Sequence, residues 1–312
     1  MTRVAAIDLG TNSTRLLVAD VEDGDVREVD RRLEITRLGE GVDTRRQLLP
    51  QAMARVRNVL GDFRRVIDED GAERSLAFAT SAVRDAENGE AFLGEIEWSY
   101  GFATHLLTGD EEALLAFRGV SAGRTLDDDT VIVDIGGGST ELIVGGRDGM
   151  SFHKSYDLGC VRLTERFPGD PQGAAEQVRS TLDAGVPEAV RPAQAIGVAG
   201  TITQLATVDL GLEREEPELV HGHRLTTDTV EQLLKGMAAM SVEEIRRMPG
   251  MHPDRAPVIV AGTVVLLETL RHFGLDELEV SERDNLHGAA LLAAELPEPV
   301  EGDAPPSART CC

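Results

Sequence analysis

The chain has 312 residues, 41% of them hydrophobic, and carries a formal net charge of −24, with 55 acidic against 31 basic residues. That length fits two domains of ordinary size with real cores, while the negative charge excludes a nucleic-acid binder, which needs a basic footprint. It does not exclude a small phosphate ligand, because backbone amides, a few placed arginines and a metal can hold one locally.

The first strand is expected over Val4 to Ile7, and Asp8-Leu9-Gly10-Thr11-Asn12-Ser13 turns it into a second. Asp23-Gly24 then turns into a strand over Val26 to Arg37, and Pro50 opens a helix to about Asp68 with apolar spots at Met53, Val56, Val59, Leu60, Phe63 and Val66. Leu76 to Ala79 reads as a strand, Thr80 to Asp85 as a strand-to-helix corner, Glu90 to Trp98 as a helix and Ala103 to Leu107 as a strand. Thr108 opens a helix to about Gly119, and Asp127-Asp128-Asp129 is the expected boundary. The second half replays this order. It has a hairpin over 131–145, a strand over 151–157, a helix over Ala174 to Val190 interrupted near Pro187, and a strand from Ala195 to Val198. A helix opens at Ala199-Gly200-Thr201, others follow near 226–240 and 254–273, then a strand from Leu278 to Ser281 and a last helix from Asn285 to Glu295. The domains expected are 1–127 and 128–296, with a disordered acidic, Pro-rich tail over 297–312.

No long apolar run is expected to span a membrane, and the N-terminus has no signal-peptide pattern. Cys160, Cys311 and Cys312 form no disulfide framework, so a reducing cytoplasm is the expected location.

The most informative feature is a repeated phrase. Asp8-Leu9-Gly10-Thr11-Asn12-Ser13-Thr14-Arg15-Leu16-Leu17-Val18 matches Asp134-Ile135-Gly136-Gly137-Gly138-Ser139-Thr140-Glu141-Leu142-Ile143-Val144 without a gap, sharing Asp, Gly, Ser, Thr, Leu and Val in the same slots. Each copy reads as strand, tight Gly/Ser turn, strand. The turn amides and hydroxyls make an anion cradle, and the Asp ending the first strand can hold a metal or its water. Two such units make an α/β protein with a cleft between its domains, where ligand sites are common.

Three further elements carry possible chemistry. At the Thr80–Arg84 corner, helix-end amides and Arg84 suit an anion, although a plain N-cap has the same form. Glu111-Glu112 complements a helix dipole, or supplies a cleft-facing general base for water. Gly200-Thr201 suits a phosphate or nucleotide, or is a capped strand–helix unit.

These motifs resemble the exopolyphosphatase / guanosine pentaphosphate phosphohydrolase (Ppx/GppA) family of the actin-like ATPase superfamily. The resemblance rests on Asp8 to Ser13, Ala79 to Asp85, Gly109 to Ala113, Asp134 to Glu141, Gly197 to Thr201, Pro249-Gly250-Met251 and Arg255-Ala256. It implies two related actin-like (ribonuclease H-like) domains with an interdomain cleft. It also implies Glu112 as catalytic base and Arg84 as a phosphate contact. Asp134 and Glu141 then hold Mg2+, or Mn2+ in its place. The resemblance places phosphate on Gly136, Gly137, Gly138 and Ser139, and the reading of the residues adds Gly10, Thr11, Asn12 and Ser13 and Gly200 and Thr201 as expected phosphate contacts. The implied substrates are inorganic polyphosphate, short chains above all, and the 5′ γ-phosphate of guanosine pentaphosphate. No nucleic-acid or membrane partner is expected, and a homodimer is the expected assembly. A kinase on the same fold and a non-catalytic polyphosphate or alarmone sensor are the alternative readings. Two departures from the family pattern stand out: Pro257 follows Arg255-Ala256, and His287 lies in Ser281 to Gly288, which brings second-domain substrate contacts into question.

Overall fold

The structure, a computed structural model, describes residues 1–127 and 129–297. Asp128 and the tail from residue 298 lie outside the described residues. The chain forms two compact units: Met1–Arg124 joined by the segment that starts at Asn285, and Thr125–Asp284.

The first unit begins β1 (Thr2–Leu9), β2 (Thr14–Glu22), β3 (Asp25–Glu34), α1 (Val42–Arg45), α2 (Pro50–Asp70), β4 (Arg74–Ala79), α3 (Ser81–Arg84), α4 (Gly89–Tyr100), β5 (Ala103–Leu106) and α5 (Gly109–Ser121). Its sheet runs β3-β2-β1-β4-β5, with β1–β2 and β2–β3 antiparallel and β1–β4 and β4–β5 parallel. Both faces of β1 are buried, which is why it reads as a continuous apolar run rather than an alternation. Ala5, Ile7 and Leu9 meet Val56, Leu60, Phe63 and Ile67 of α2 in one core, while Val4 and Ala6 pack in another with Leu115 of α5. The α2 stripe recurs at helical spacing. Pro50 stands at its first position and Gly71, at φ 71°, closes it.

The second unit contains β6 (Thr130–Ile135), β7 (Thr140–Gly146), β8 (Gly149–Tyr156), α6 (Cys160–Arg166), α7 (Pro171–Gly185), β9 (Gln194–Val198), α8 (Ala199–Asp209), α9 (Pro217–Val220), β10 (Arg224–Thr226), α10 (Thr227–Ala238), α11 (Val242–Ile245), α12 (Ala256–Phe273) and β11 (Glu277–Val280). Its sheet order is β10-β11-β9-β6-β7-β8. The β8-β7-β6-β9-β11 part repeats β3-β2-β1-β4-β5 with the same strand directions, so each unit has the actin-like topology. Among the described helices only α12 is long and apolar enough to cross a membrane, and it is mostly buried in this unit's core against α6, α7 and α10.

Two expectations are corrected. The helix expected over Ala174 to Val190 runs Pro171–Gly185, because the Asp170 side chain caps the Gly173 amide and Pro171 fits the first turn. More important, α13 (Asn285–Glu295), expected in the second domain, belongs to the first unit. Its Leu286, Ala289, Ala290 and Ala293 pack with Val4, Ala6, Leu17 and Leu115. Apolar contact with that sheet face overrides sequence proximity to β11. Gly288 permits a close approach, since an added Cβ would fall on the Leu115 carbonyl. Gly288→Ala is therefore expected to destabilise the protein by about 1–3 kcal/mol through overpacking, and an unchanged urea midpoint would show that the helix pair can yield.

Candidate active site

In the first hairpin the Gly10 amide donates to the Ser13 carbonyl at 3.0 Å, and in the second Gly136 donates to Ser139 at the same 3.0 Å. A Cβ at either glycine would crowd that carbonyl, at 2.9 and 3.2 Å, so the turn is built around glycine. The remaining turn carbonyls are tied down on one side. Thr11 and Asn12 accept from the Gly39 and Arg37 amides, each at 2.8 Å. Gly136 and Gly137 accept from Cys160 and Val161 at the start of α6, at 3.0 and 2.8 Å, and Gly138 accepts from Arg162 Nε at 2.7 Å. Because trans peptides hold C=O and the next N–H antiparallel, the amides of Asn12 and Ser13, and of Gly137, Gly138 and Ser139, point the opposite way. Each turn is thus an amide nest suited to phosphate oxygens.

The strand register pairs Asp8 with Arg15 in the first hairpin and Asp134 with Glu141 in the second. The equivalent positions therefore carry opposite charge patterns. Arg15 donates through Nε to Asp8 Oδ2 at 3.0 Å and through Nη2 to Asn285 Oδ1 at 2.7 Å. In the second copy two buried carboxylates stand on the same face of adjacent strands, with Glu141 Oε1 accepting from Ser155 Oγ at 2.6 Å. Like charges directly opposite are costly, and a divalent cation removes that cost. Among the described residues no cluster of three or more His, Cys, Asp or Glu side chains gathers for a metal. A two-carboxylate set nevertheless fits Mg2+, which uses one or two carboxylates and fills its octahedron with water and phosphate oxygen.

The other first-unit candidates come together. Thr11 Oγ1 lies 3.0 Å from Ser81 Oγ, linking the hairpin turn to the β4–α3 corner. At the end of that corner Arg84 Nη1 donates to Glu112 Oε2 at 2.7 Å and to the Leu107 carbonyl at 2.6 Å. Glu112 is 6% exposed. Its neighbour Glu111 has a different task. It closes a capping box, accepting from the Thr108 amide at 2.8 Å, and lies 3.0 Å from His105 Nε2. The Thr108 amide, then His105, hold its carboxyl below the usual range.

In the second unit Ala199 opens α8 at φ 67°, a conformation costly for a residue with a Cβ. Gly200 carries the Arg255 guanidinium, on which an added Cβ would land. Thr201 abuts Gly262 of α12, and Cys160 lies against the same spot. The Cys160 thiol is fully buried, and desolvation pushes its pKa up, with Arg255 opposing. That favours a packing role over a nucleophile. Pro257 falls in the first turn of α12, where its missing N–H needs no partner. His287 sits on α13 in the first unit, buried and 2.9 Å from Glu28, rather than in the second domain as expected.

Sequence reasoning did not assign roles to Arg15, Arg162 or Arg255. Hairpin register alone places Arg15 opposite Asp8. Arg162 and Arg255 reach their targets from other elements, with no local signal.

The model of the Ppx/GppA phosphatase family matches residues 17–291. Exopolyphosphatase 2 of Mycobacterium tuberculosis is 37% identical over 322 aligned positions, covering 94% of this chain and 99% of that protein. The Ppx/GppA enzyme of Aquifex aeolicus superposes with a TM-score of 0.79 at 31% identity, covering 94% of this chain and 99% of that one. An exopolyphosphatase from Cytophaga hutchinsonii superposes at 0.84 with 26% identity, covering 95% and 99%.

Proposed function

The chain belongs to the Ppx/GppA phosphatase family and is a hydrolase of exopolyphosphatase type, and from that premise we propose that it releases terminal phosphate from inorganic polyphosphate with the aid of a divalent ion. The observation that carries this reading is the Arg84–Glu112 pair. Glu112 is the carboxylate of its pair that helix capping does not use, and it is buried on a guanidinium beside the phosphate hairpin.

In the first unit the amides of Asn12 and Ser13 hold phosphate oxygens. Arg84 turns from Glu112 to the terminal phosphate, and this frees the carboxylate to take a proton from the attacking water. The water oxygen forms the new P–O bond as the anhydride P–O bond breaks, and the shortened chain leaves as its own phosphate anion. In the second unit the Gly137–Ser139 amides cradle phosphate, and Asp134 and Glu141 would hold the ion. When bound, that ion supplies charge neutralisation on the phosphate oxygens.

The net charge of −24 opposes a long polyanion more than a short one. Short polyphosphate is the proposed substrate, with guanosine pentaphosphate as the second to assay. The test is phosphate release by the pure protein from tripolyphosphate, polyphosphate of hundreds of units and guanosine pentaphosphate, each with Mg2+ and with chelator. A lower KM for tripolyphosphate supports the reading, while a lower KM for the longest chains contradicts the size preference. No phosphate release from any of them would favour a binding protein, and phosphoryl transfer from ATP to a sugar panel would favour a kinase.

A further inference from the structure

Gln204 is 1% exposed and sits on α8, one turn beyond Gly200. Residues four apart share a helix face, so the face that carries the Arg255 guanidinium on Gly200 also carries the Gln204 carboxamide. That carboxamide is spent on one segment. Nε2 donates to the Gly250 carbonyl at 2.7 Å, and Oε1 accepts from the His252 amide at 2.9 Å.

The segment so clamped has little freedom of its own. Gly250 is held at φ 76°, where an added Cβ would collide with the Leu212 carbonyl. Pro249 and Pro253 flank the clamped stretch, and Met251 is buried. The Arg255 amide then donates to the His252 carbonyl at 2.9 Å, and the Arg255 carbonyl accepts from the Val258 and Ile259 amides, each at 3.0 Å, at the start of α12. The side chain of Gln204 is therefore linked through three residues of fixed backbone to the point from which Arg255 reaches back over Gly200.

We propose that Gln204 is a positioning residue, which acts through the 249–254 segment to set Arg255 against phosphate bound at the α8 N-terminus. This rests on the phosphohydrolase reading above, and adds to it a role for Arg255 and a residue that controls it. A guanidinium contributes bidentate binding only at a fixed distance and angle, and a side chain with this much rotamer freedom needs its backbone origin fixed.

The test is a double-mutant cycle on the full chain, read as steady-state hydrolysis of tripolyphosphate with Mg2+, with circular dichroism and thermal unfolding as the fold check. Gln204→Met keeps length and removes both hydrogen bonds. It is expected to lower kcat/KM about 10- to 100-fold, mostly through KM. Gln204→Glu keeps the acceptor for His252 but loses the donor to Gly250, and is expected to fall between wild type and Gln204→Met. In an Arg255→Ala background Gln204→Met should cost less than about 2-fold further, because its effect passes through the missing guanidinium. Equal losses in the two backgrounds, or a folded Gln204→Met with normal kcat/KM, would overturn the proposal. So would failure of both Gln204 variants to fold, which would make the residue a core element only. The two readings fail differently. A wild-type protein without phosphate release sinks the function, whereas an active wild type with a harmless Arg255→Ala sinks this inference alone.

Discussion

Glu112→Gln is expected to lower kcat by about 10²- to 10⁴-fold with little change in substrate binding. The glutamine keeps the size of the side chain and an oxygen that can still accept from Arg84 Nη1, so the local geometry should persist. What it loses is the ability to take a proton. Glu111→Gln is the internal control. Adjacent helical residues point about 100° apart, and Glu111 is turned to Thr108 and His105 instead of Arg84. Its replacement should leave turnover nearly intact and cost at most a fraction of the capping energy, on the order of 1 kcal/mol. Steady-state kinetics with thermal unfolding checks both. Near-normal turnover in Glu112→Gln would remove the proposed base, and a large loss in Glu111→Gln would move it one residue back.

Arg84 makes a second comparison available. Its Nη1 is shared between the Glu112 carboxylate and the Leu107 carbonyl. Replacing it leaves the buried carboxylate without that donor, a cost of about 1–3 kcal/mol. Activity lost in an Arg84 variant therefore mixes a stability effect with a phosphate-binding effect. The Glu112→Gln variant avoids that mixture, which makes it the stronger test of mechanism.

The parts of the molecule that were legible in the sequence are those encoded locally. The two hairpins announce themselves because turn, strand and register all lie within a dozen residues, and the matching Gly10–Ser13 and Gly136–Ser139 hydrogen bonds follow from the matching glycines and serines. The pair Glu111-Glu112 is left open by the residues themselves and Glu112 is chosen on the family resemblance alone, although a local signal exists, since a Thr three residues before Glu111 completes a capping box. The helix α13 was legible as a helix over Asn285–Glu295, but the unit it packs in was not. Its apolar face is satisfied by β1, β2 and α5, elements far away in the chain, and nothing within it says which sheet it will cover. The three-residue strand β10 is too short for any alternation to register, although Leu225 is fully buried. Arg255 belongs to the same class. Its target is a glycine more than fifty residues earlier, and only the packing on Gly200 reveals the partnership.

Asp134→Asn and Asp8→Asn should differ in how their stability responds to metal, although the two residues occupy the same slot of the repeat. Asp8 faces Arg15 across the hairpin and accepts from it at 3.0 Å. Removing that charge weakens a buried, charge-assisted bond, so Asp8→Asn should lower stability by about 1–3 kcal/mol whether or not metal is present. Asp134 faces Glu141. Opposed carbons in such a pair lie about 4.5–5.5 Å apart, and the like charges repel. Adding Mg2+ should raise the wild-type unfolding temperature, because an ion that binds only the folded state stabilises it by mass action. That rise should largely vanish in Asp134→Asn, and the metal concentration for half-maximal phosphate release should increase by at least about tenfold, the equivalent of roughly 1.4 kcal/mol of binding. Calorimetric titration with Mn2+ gives a readout independent of turnover. An Asp134→Asn protein that binds Mn2+ as the wild type does, and gains the same stability from Mg2+, would take the ion away from the Asp134–Glu141 pair.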